Sequence, residues 1–232
     1  MATQIRNGFL SPQIWASKRK KQVIEVFGKL SPAHVEYAEN IFSGEKYLDA
    51  NGQTKRDYSL IPLIISDGTG SSRKVVKYNF NPNDFFALRR ECEGAVIFHR
   101  SYERKFEKMN CIDGQMTIRS ITIRHEYYKK DRNGKEVLAD GQKVVSQYPW
   151  FIGISETKGK ADAKGEKVEK VSEKNQSYIL LSSGEYQDMI DSTCRYIDVY
   201  AMTFGAPLLR EKRKQDQERR EKYRKEQGKD RH

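Results

Sequence analysis

Apolar positions along this chain gather into short runs of strand length, separated by polar turns. Residues 58–66, YSLIPLIIS, form one such run; a turn at Asn51-Gly52 precedes it and the Gly-rich turn Asp67-Gly68-Thr69-Gly70 follows. Val75, Val76, Tyr78 and Phe80 mark a second strand over 75–80, because β-branched and aromatic residues bounded by turn residues favour extended pairing. At Asn81-Pro82-Asn83-Asp84 the signal changes to a helix start. Asn81 is a capping residue, Pro82 suits the first helical position, and Asp84 sits near the positive end of the helix dipole. Phe85, Phe86, Leu88 and Cys92 supply that helix with an apolar side.

The same order of signals recurs downstream. Turns at Asn133-Gly134 and Asp140-Gly141 precede residues 148–155, YPWFIGIS, and a further apolar run follows at 178–181, YILL. Ser182 and Glu185 then form a capping box ahead of Tyr186, Met189, Ile190 and Cys194 at helical spacing. Placing Tyr58 on Tyr148 is an offset of 90 and Asn81 on Ser182 an offset of 101, so the second copy holds 11 additional residues. The polar stretch 156–167 accounts for them, and a mobile loop is predicted over 156–175. Ahead of the second copy, residues 117–128, TIRSITIRHEYY, predict a long strand. On it Ile118, Ser120, Thr122, Arg124, Glu126 and Tyr128 share a mostly polar face turned away from the core.

The two ends read differently. Ser11-Pro12 and Ser31-Pro32 each place a capping side chain before a proline. A helix through Ile14, Trp15, Val23 and Ile24 to Gly28 is one reading of the first segment, but Lys18-Arg19-Lys20-Lys21 interrupts it and residues 22–27 suit a strand equally. Val35, Ala38, Ile41 and Phe42 lie at helical spacing in the second segment, with an extended alternative open. From Arg210 to His232 there are 11 basic and 6 acidic residues and no apolar stripe, which predicts a single charged helix or a disordered tail. The expected fold is α+β: a basic N-terminal segment (1–32), two pseudo-repeated units of antiparallel strands each closed by a capped helix (33–110 and 111–207), and a charged C-terminal helix or tail (208–232).

Composition points to the partner. Lys and Arg exceed Asp and Glu by 43 to 32, a formal net charge of +11 with an isoelectric point near 9.4, so the field of the protein attracts a polyanion. The segment from Arg210 holds +5 of that charge and the rest of the chain +6. The 13 Tyr, 10 Phe and 2 Trp supply more large apolar surface than a disordered chain carries. No apolar run is long enough to span a bilayer and the first residues lack the order of a secretory signal, so a cytoplasmic protein without membrane attachment is expected. Cys92, Cys111 and Cys194 have no paired spacing; buried thiols are expected, with no disulfide framework, metal site or cofactor.

Signatures of phosphate-cradling loops, zinc hydrolases and serine nucleophiles are missing from the sequence. His34, His99 and His125 are scattered, and Asp67, Asp84 and Glu185 have turn or capping roles, so no catalytic residue is assigned and the chain does not read as an enzyme. Single-strand binding requires only cations that follow phosphates and aromatic faces on which bases stack. Candidates are Arg73 and Lys77, which share a strand face with Val75 and Asn79; Arg119, Arg124 and Tyr128 on the long strand; Lys129 and Lys130 after it; and Trp150.

From HVEYAENIF through VVKYNFNPNDFFAL to QSYILLSSGEYQDMI, about residues 33–204, the arrangement resembles the duplicated strand-and-helix layout of the Whirly and PC4-like single-stranded nucleic-acid-binding proteins. The resemblance implies nucleic acid bound across sheet faces and assigns no individual residue. The expected function is non-catalytic binding of single-stranded DNA or RNA with little sequence specificity; a protein-binding adaptor or a subunit of a larger nucleoprotein assembly is the alternative, and an oligomer is compatible with either.

Overall fold

A computed structural model describes residues 12–30, 42–48, 54–69, 72–112 and 114–229. Over them the protein is a mixed α+β fold of antiparallel sheets with a helix at its C-terminal end. The first sheet joins β1 (Gln13–Arg19), β2 (Gln22–Phe27), β5 (Ile61–Asp67) and β6 (Lys74–Phe80) in that order. A separate hairpin, β3 (Ser43–Leu48) and β4 (Thr54–Tyr58), is inserted between β2 and β5, and α1 (Pro82–Ile97) follows β6. The second sheet is built from β7 (Tyr102–Ile112), β8 (Gln115–His125), β11 (Trp150–Ala161) and β12 (Val168–Leu181), neighbours in chain order. Here too a small hairpin, β9 (Leu138–Ala139) and β10 (Gln142–Lys143), lies between the second and third strands, and α2 (Ser183–Tyr200) follows the fourth.

Period-two burial explains the strands. In β2, Ile24 and Val26 are fully buried while their neighbours are only half-buried, a pattern a helix could not produce. The helix considered through residues 14–28 therefore gives way to the β1–β2 hairpin, which pairs Arg19 with Gln22 and turns at Lys20-Lys21. A cationic run is better accommodated there than inside a helix, because turn side chains splay into water. The helix considered over 33–44 and the turn at Asn51-Gly52 fall largely or wholly outside the described residues, as does Gly70. At the β9–β10 turn, Asp140 and Gly141 have φ of +51° and +80°, the doubly positive conformation that favours Asp-Gly in two-residue hairpins.

Both helices start where the sequence predicts, but the Asn81 side chain makes no capping hydrogen bond and Asp84 caps α1 instead. The Asn81 N–H donates to the Asp84 carboxylate at 2.9 Å. At α2 the Ser182 N–H donates to Glu185 Oε2 at 2.9 Å, and the Glu185 N–H donates back to Ser182 Oγ at 3.3 Å. Glu185 also accepts from Ser17 Oγ at 2.9 Å and pairs with Arg19, which ties β1 to the start of α2. Burial alone would raise the Glu185 carboxyl, but the hydrogen bonds from Ser182 and Ser17 and the charge of Arg19 outweigh it and hold the group below its ordinary value.

The two sheets and helices share one core. Ile24, Ile65, Tyr78 and Phe80 of the first sheet join Ile121, Ile152 and Leu181 of the second, with Phe85, Leu88 and Cys92 from α1 and Tyr186, Ile190 and Ile197 from α2. Cys92 and Cys194 are buried, and burial pushes the Cys92 thiol up to about 12 despite its 3.1 Å contact with the Tyr186 hydroxyl. Cys111 departs from the expectation of a buried thiol and is exposed, because β7 outruns the core at its far end.

Residues 156–175 are not a loop. They are the outer halves of β11 and β12, paired from Glu156↔Asn175 to Ala161↔Val168 around a turn at 162–167. Polar residues on both faces hide such a hairpin from apolar periodicity; backbone pairing and ion pairs of Lys158 with Glu156 (3.4 Å) and Glu173 (3.2 Å) hold it instead. At the other end of the chain, α2 runs through a π-helical turn (Ala201–Gly205) into α3 (Ala206–Lys229), so the charged segment continues as a helix, most of whose described side chains are exposed. No helix among the described residues is long and apolar enough to cross a membrane.

Candidate nucleic-acid interface

Alternation along β8 sends Ile121, Ile123 and His125 into the core and leaves Ser120, Thr122 and Arg124 on the opposite face. Register then assembles that face. Ser120, Thr122 and Arg124 lie opposite Ser155, Gly153 and Phe151 of β11, which in turn oppose Gln176, Tyr178 and Leu180 of β12. The result is a shallow trough of about 230 Å³, lined by Ser120, Thr122, Phe151, Gly153, Ser155, Gln176 and Tyr178.

Its geometry is that of an aromatic platform. The rings of Phe151 and Tyr178 stack with centroids 5.5 Å apart and planes 23° from parallel. The Arg124 guanidinium lies 4.4 Å above Phe151, a cation–π contact, and among the described residues its Nε has no hydrogen-bond partner. Tyr178 is 55% exposed, so one side of this stack is open. Gly153 makes the arrangement possible, since a Cβ there would lie 2.7 Å from the Phe151 ring. Ser120 and Ser155 share a hydrogen bond at 2.8 Å, and the amide of Gln176 is exposed. A flat ring, a cation beside it and small donors and acceptors around it can stack an unpaired base and meet its edges. The β7 edge of the sheet is less suited to a polyanion, because Glu103 and Glu107 lie opposite Arg124 and Ser120, with Lys105 paired to Glu107 at 2.9 Å.

The structure divides the residues nominated from sequence. Arg124 belongs to the platform. Lys77 and Arg119 meet elsewhere, in a polar cleft where β6 of the first sheet crosses the second; Val75 and Asn79 line the same cleft. Arg73 precedes β6 and donates to Ser66 Oγ at 2.8 Å. Tyr128, Lys129 and Lys130 lie beyond the end of β8, on the arm that carries the β9–β10 hairpin. There Lys143 covers the Tyr128 ring at 5.0 Å and Lys130 pairs with Glu126 at 2.6 Å.

Trp150 must be corrected. It is fully buried, with its ring 3.7 Å from that of Tyr186 and nearly parallel to it, and it cannot receive a base. Phe151, one residue on, occupies the open face, and sequence reasoning missed it together with Tyr178. The signal was present: Ile152 and Ile154 fix the inward parity of β11, which sends Trp150 inward and Phe151, Gly153 and Ser155 outward.

Among the described residues, no group of three His, Cys, Asp or Glu side chains could hold a metal ion. No protein-family model matches this chain, and neither a curated protein nor a solved structure matches it.

Proposed function

We propose that the protein binds single-stranded DNA or RNA non-catalytically and with little sequence specificity, on the outward face of β8, β11 and β12. The observation that carries this reading is the half-exposed Tyr178 stacked on Phe151 under the Arg124 guanidinium. Base stacking on such rings contributes about 1–3 kcal/mol per base and tolerates any sequence, because every base has a π-face. The net charge of +11 supplies long-range attraction to phosphates, with the basic α3 as an accessory. The common order of strands, inserted hairpin and closing helix in both sheets supports a further element of the proposal: the two halves are copies of one unit, only the second of which carries the aromatic platform.

A protein-binding role has its own supporting observation. Val199, Met202, Phe204 and Leu209 are all exposed around the junction of α2 and α3, where a partner protein would find apolar surface.

Fluorescence polarisation with labelled single-stranded and duplex oligonucleotides over a salt series separates the two. The nucleic-acid reading expects single-strand affinity to exceed duplex affinity and its logarithm to fall linearly with log salt as counterions are released. Absent affinity at low salt, or affinity indifferent to salt, overturns it and leaves the α2–α3 junction as the binding surface to pursue.

A further inference from the structure

Where β6 crosses the second sheet, a cleft of about 290 Å³ opens, several times the space of roughly 30 Å³ that one water occupies. Its walls come from both sheets: Val75, Lys77 and Asn79 from β6, and Arg119, Glu156 and Asn175 from β8, β11 and β12. Across β7 and β8, Lys108 lies opposite Arg119, with its Nζ 5.7 Å from the centre of the Tyr78 ring. Among the described residues Glu156 is the only carboxylate in the lining, and it is already engaged by Arg119 and by Lys158 at 3.4 Å. Lys77 has no ion-pair partner among the described residues, although it is partly withdrawn from water and faces like charges. Burial first, then the charges of Lys29 and Arg119, lower its amine below the ordinary lysine value. Asn175 Nδ2 makes only a long contact, 3.4 Å, to the Val75 carbonyl, which leaves it able to turn to another acceptor.

We infer that this cleft is a phosphate-binding site, with Lys77 as the unneutralised cation, Arg119 as the second cation and Asn175 as a neutral donor. A phosphate group matches the charge left over when Glu156 has satisfied Arg119, and it offers acceptors to all three side chains at once. The source of that group is either a phosphodiester of a bound strand or a free phosphate ion. The site shares no residue with the Phe151–Tyr178 platform, so it stands or falls separately from the stacking proposal.

The test measures thermal unfolding in inorganic phosphate against sodium chloride at equal ionic strength. At about tenfold excess over the dissociation constant, phosphate should raise the midpoint of the wild-type protein by roughly 3 °C relative to chloride. Lys77→Gln should abolish this shift, Glu156→Gln should enlarge it by removing the internal competitor, and Phe151→Ala/Tyr178→Ala should leave it intact. A shift equal in phosphate and chloride, or one that Lys77→Gln leaves unchanged, overturns the inference. Oligonucleotide binding then identifies the source. If Lys77→Gln lowers the slope of log affinity against log salt by about one, the group is a strand phosphodiester; if the slope is unchanged while the phosphate shift is lost, it is the free ion.

Discussion

Trp150→Ala should lower the stability of the protein by about 3–5 kcal/mol, the range for emptying a large aromatic from a packed core. The indole is wholly inaccessible, lies flat on Tyr186, and is flanked by His125 at 4.5 Å and Tyr102 at 6.1 Å, so few neighbours can close the space it would leave. Against a typical total of about 5–15 kcal/mol, such a loss is a large share of the whole. In urea denaturation it should appear as a lower midpoint at unchanged slope, since the surface exposed on unfolding stays nearly the same. The fraction that remains folded should bind oligonucleotide as the wild type does. A Trp150→Ala protein as stable as the wild type but weakened in binding would place the indole at the interface and contradict the parity of β11.

The two rings on the outward face, Phe151 and Tyr178, should respond in the opposite way. Tyr178→Ala should weaken single-strand affinity about tenfold and Phe151→Ala/Tyr178→Ala about a hundredfold, as one and then two stacking surfaces are removed at roughly 1–3 kcal/mol each. Both rings lie on the outward face, where Phe151 is half-buried and Tyr178 mostly free, so stability should fall by less than about 1 kcal/mol. Polarisation titrations at one fixed salt concentration, paired with urea denaturation of the same samples, read both quantities. Unchanged affinity in the double variant would remove the platform from the account.

These two residues also mark what the sequence makes legible. Capping and turn residues have local chemistry that acts within four residues, and Asn81, Asp84, Ser182, Glu185 and Asp140-Gly141 all stand where that chemistry predicts. The buried stripe of α2 follows from helical spacing, and the polar face of β8 from alternation, which is how Arg124 was found. Trp150 is a wrong nomination for a different reason: aromatic content nominates a residue, but strand parity decides which side it takes, and parity must be read from the isoleucines beside it.

Other features depend on contacts distant in sequence. The β11–β12 extension has no apolar face, so its order rests on partners 7 to 19 residues away along the hairpin and on β8, which a local pattern does not reveal. The joining of Lys77 to Arg119 requires two sheets to cross, and the pairing of Phe151 with Tyr178 requires the register of β11 on β12. In the β1–β2 hairpin, Lys18 to Lys21 weaken every regular pattern at once, and burial of Ile24 and Val26 against the core settles the choice in favour of strands.

We propose that the bound strand lies on the outward face of β8, β11 and β12, with the basic α3 as an accessory. Amide NMR of the full chain, titrated with an unlabelled single-stranded oligonucleotide at moderate salt, reads that location directly. The account predicts that the largest shifts fall on Ser120, Thr122, Phe151, Gly153, Ser155, Gln176 and Tyr178. Shifts confined to α3 and to the arm around Tyr128 and Lys130, with the β8–β11–β12 face unmoved, would contradict it.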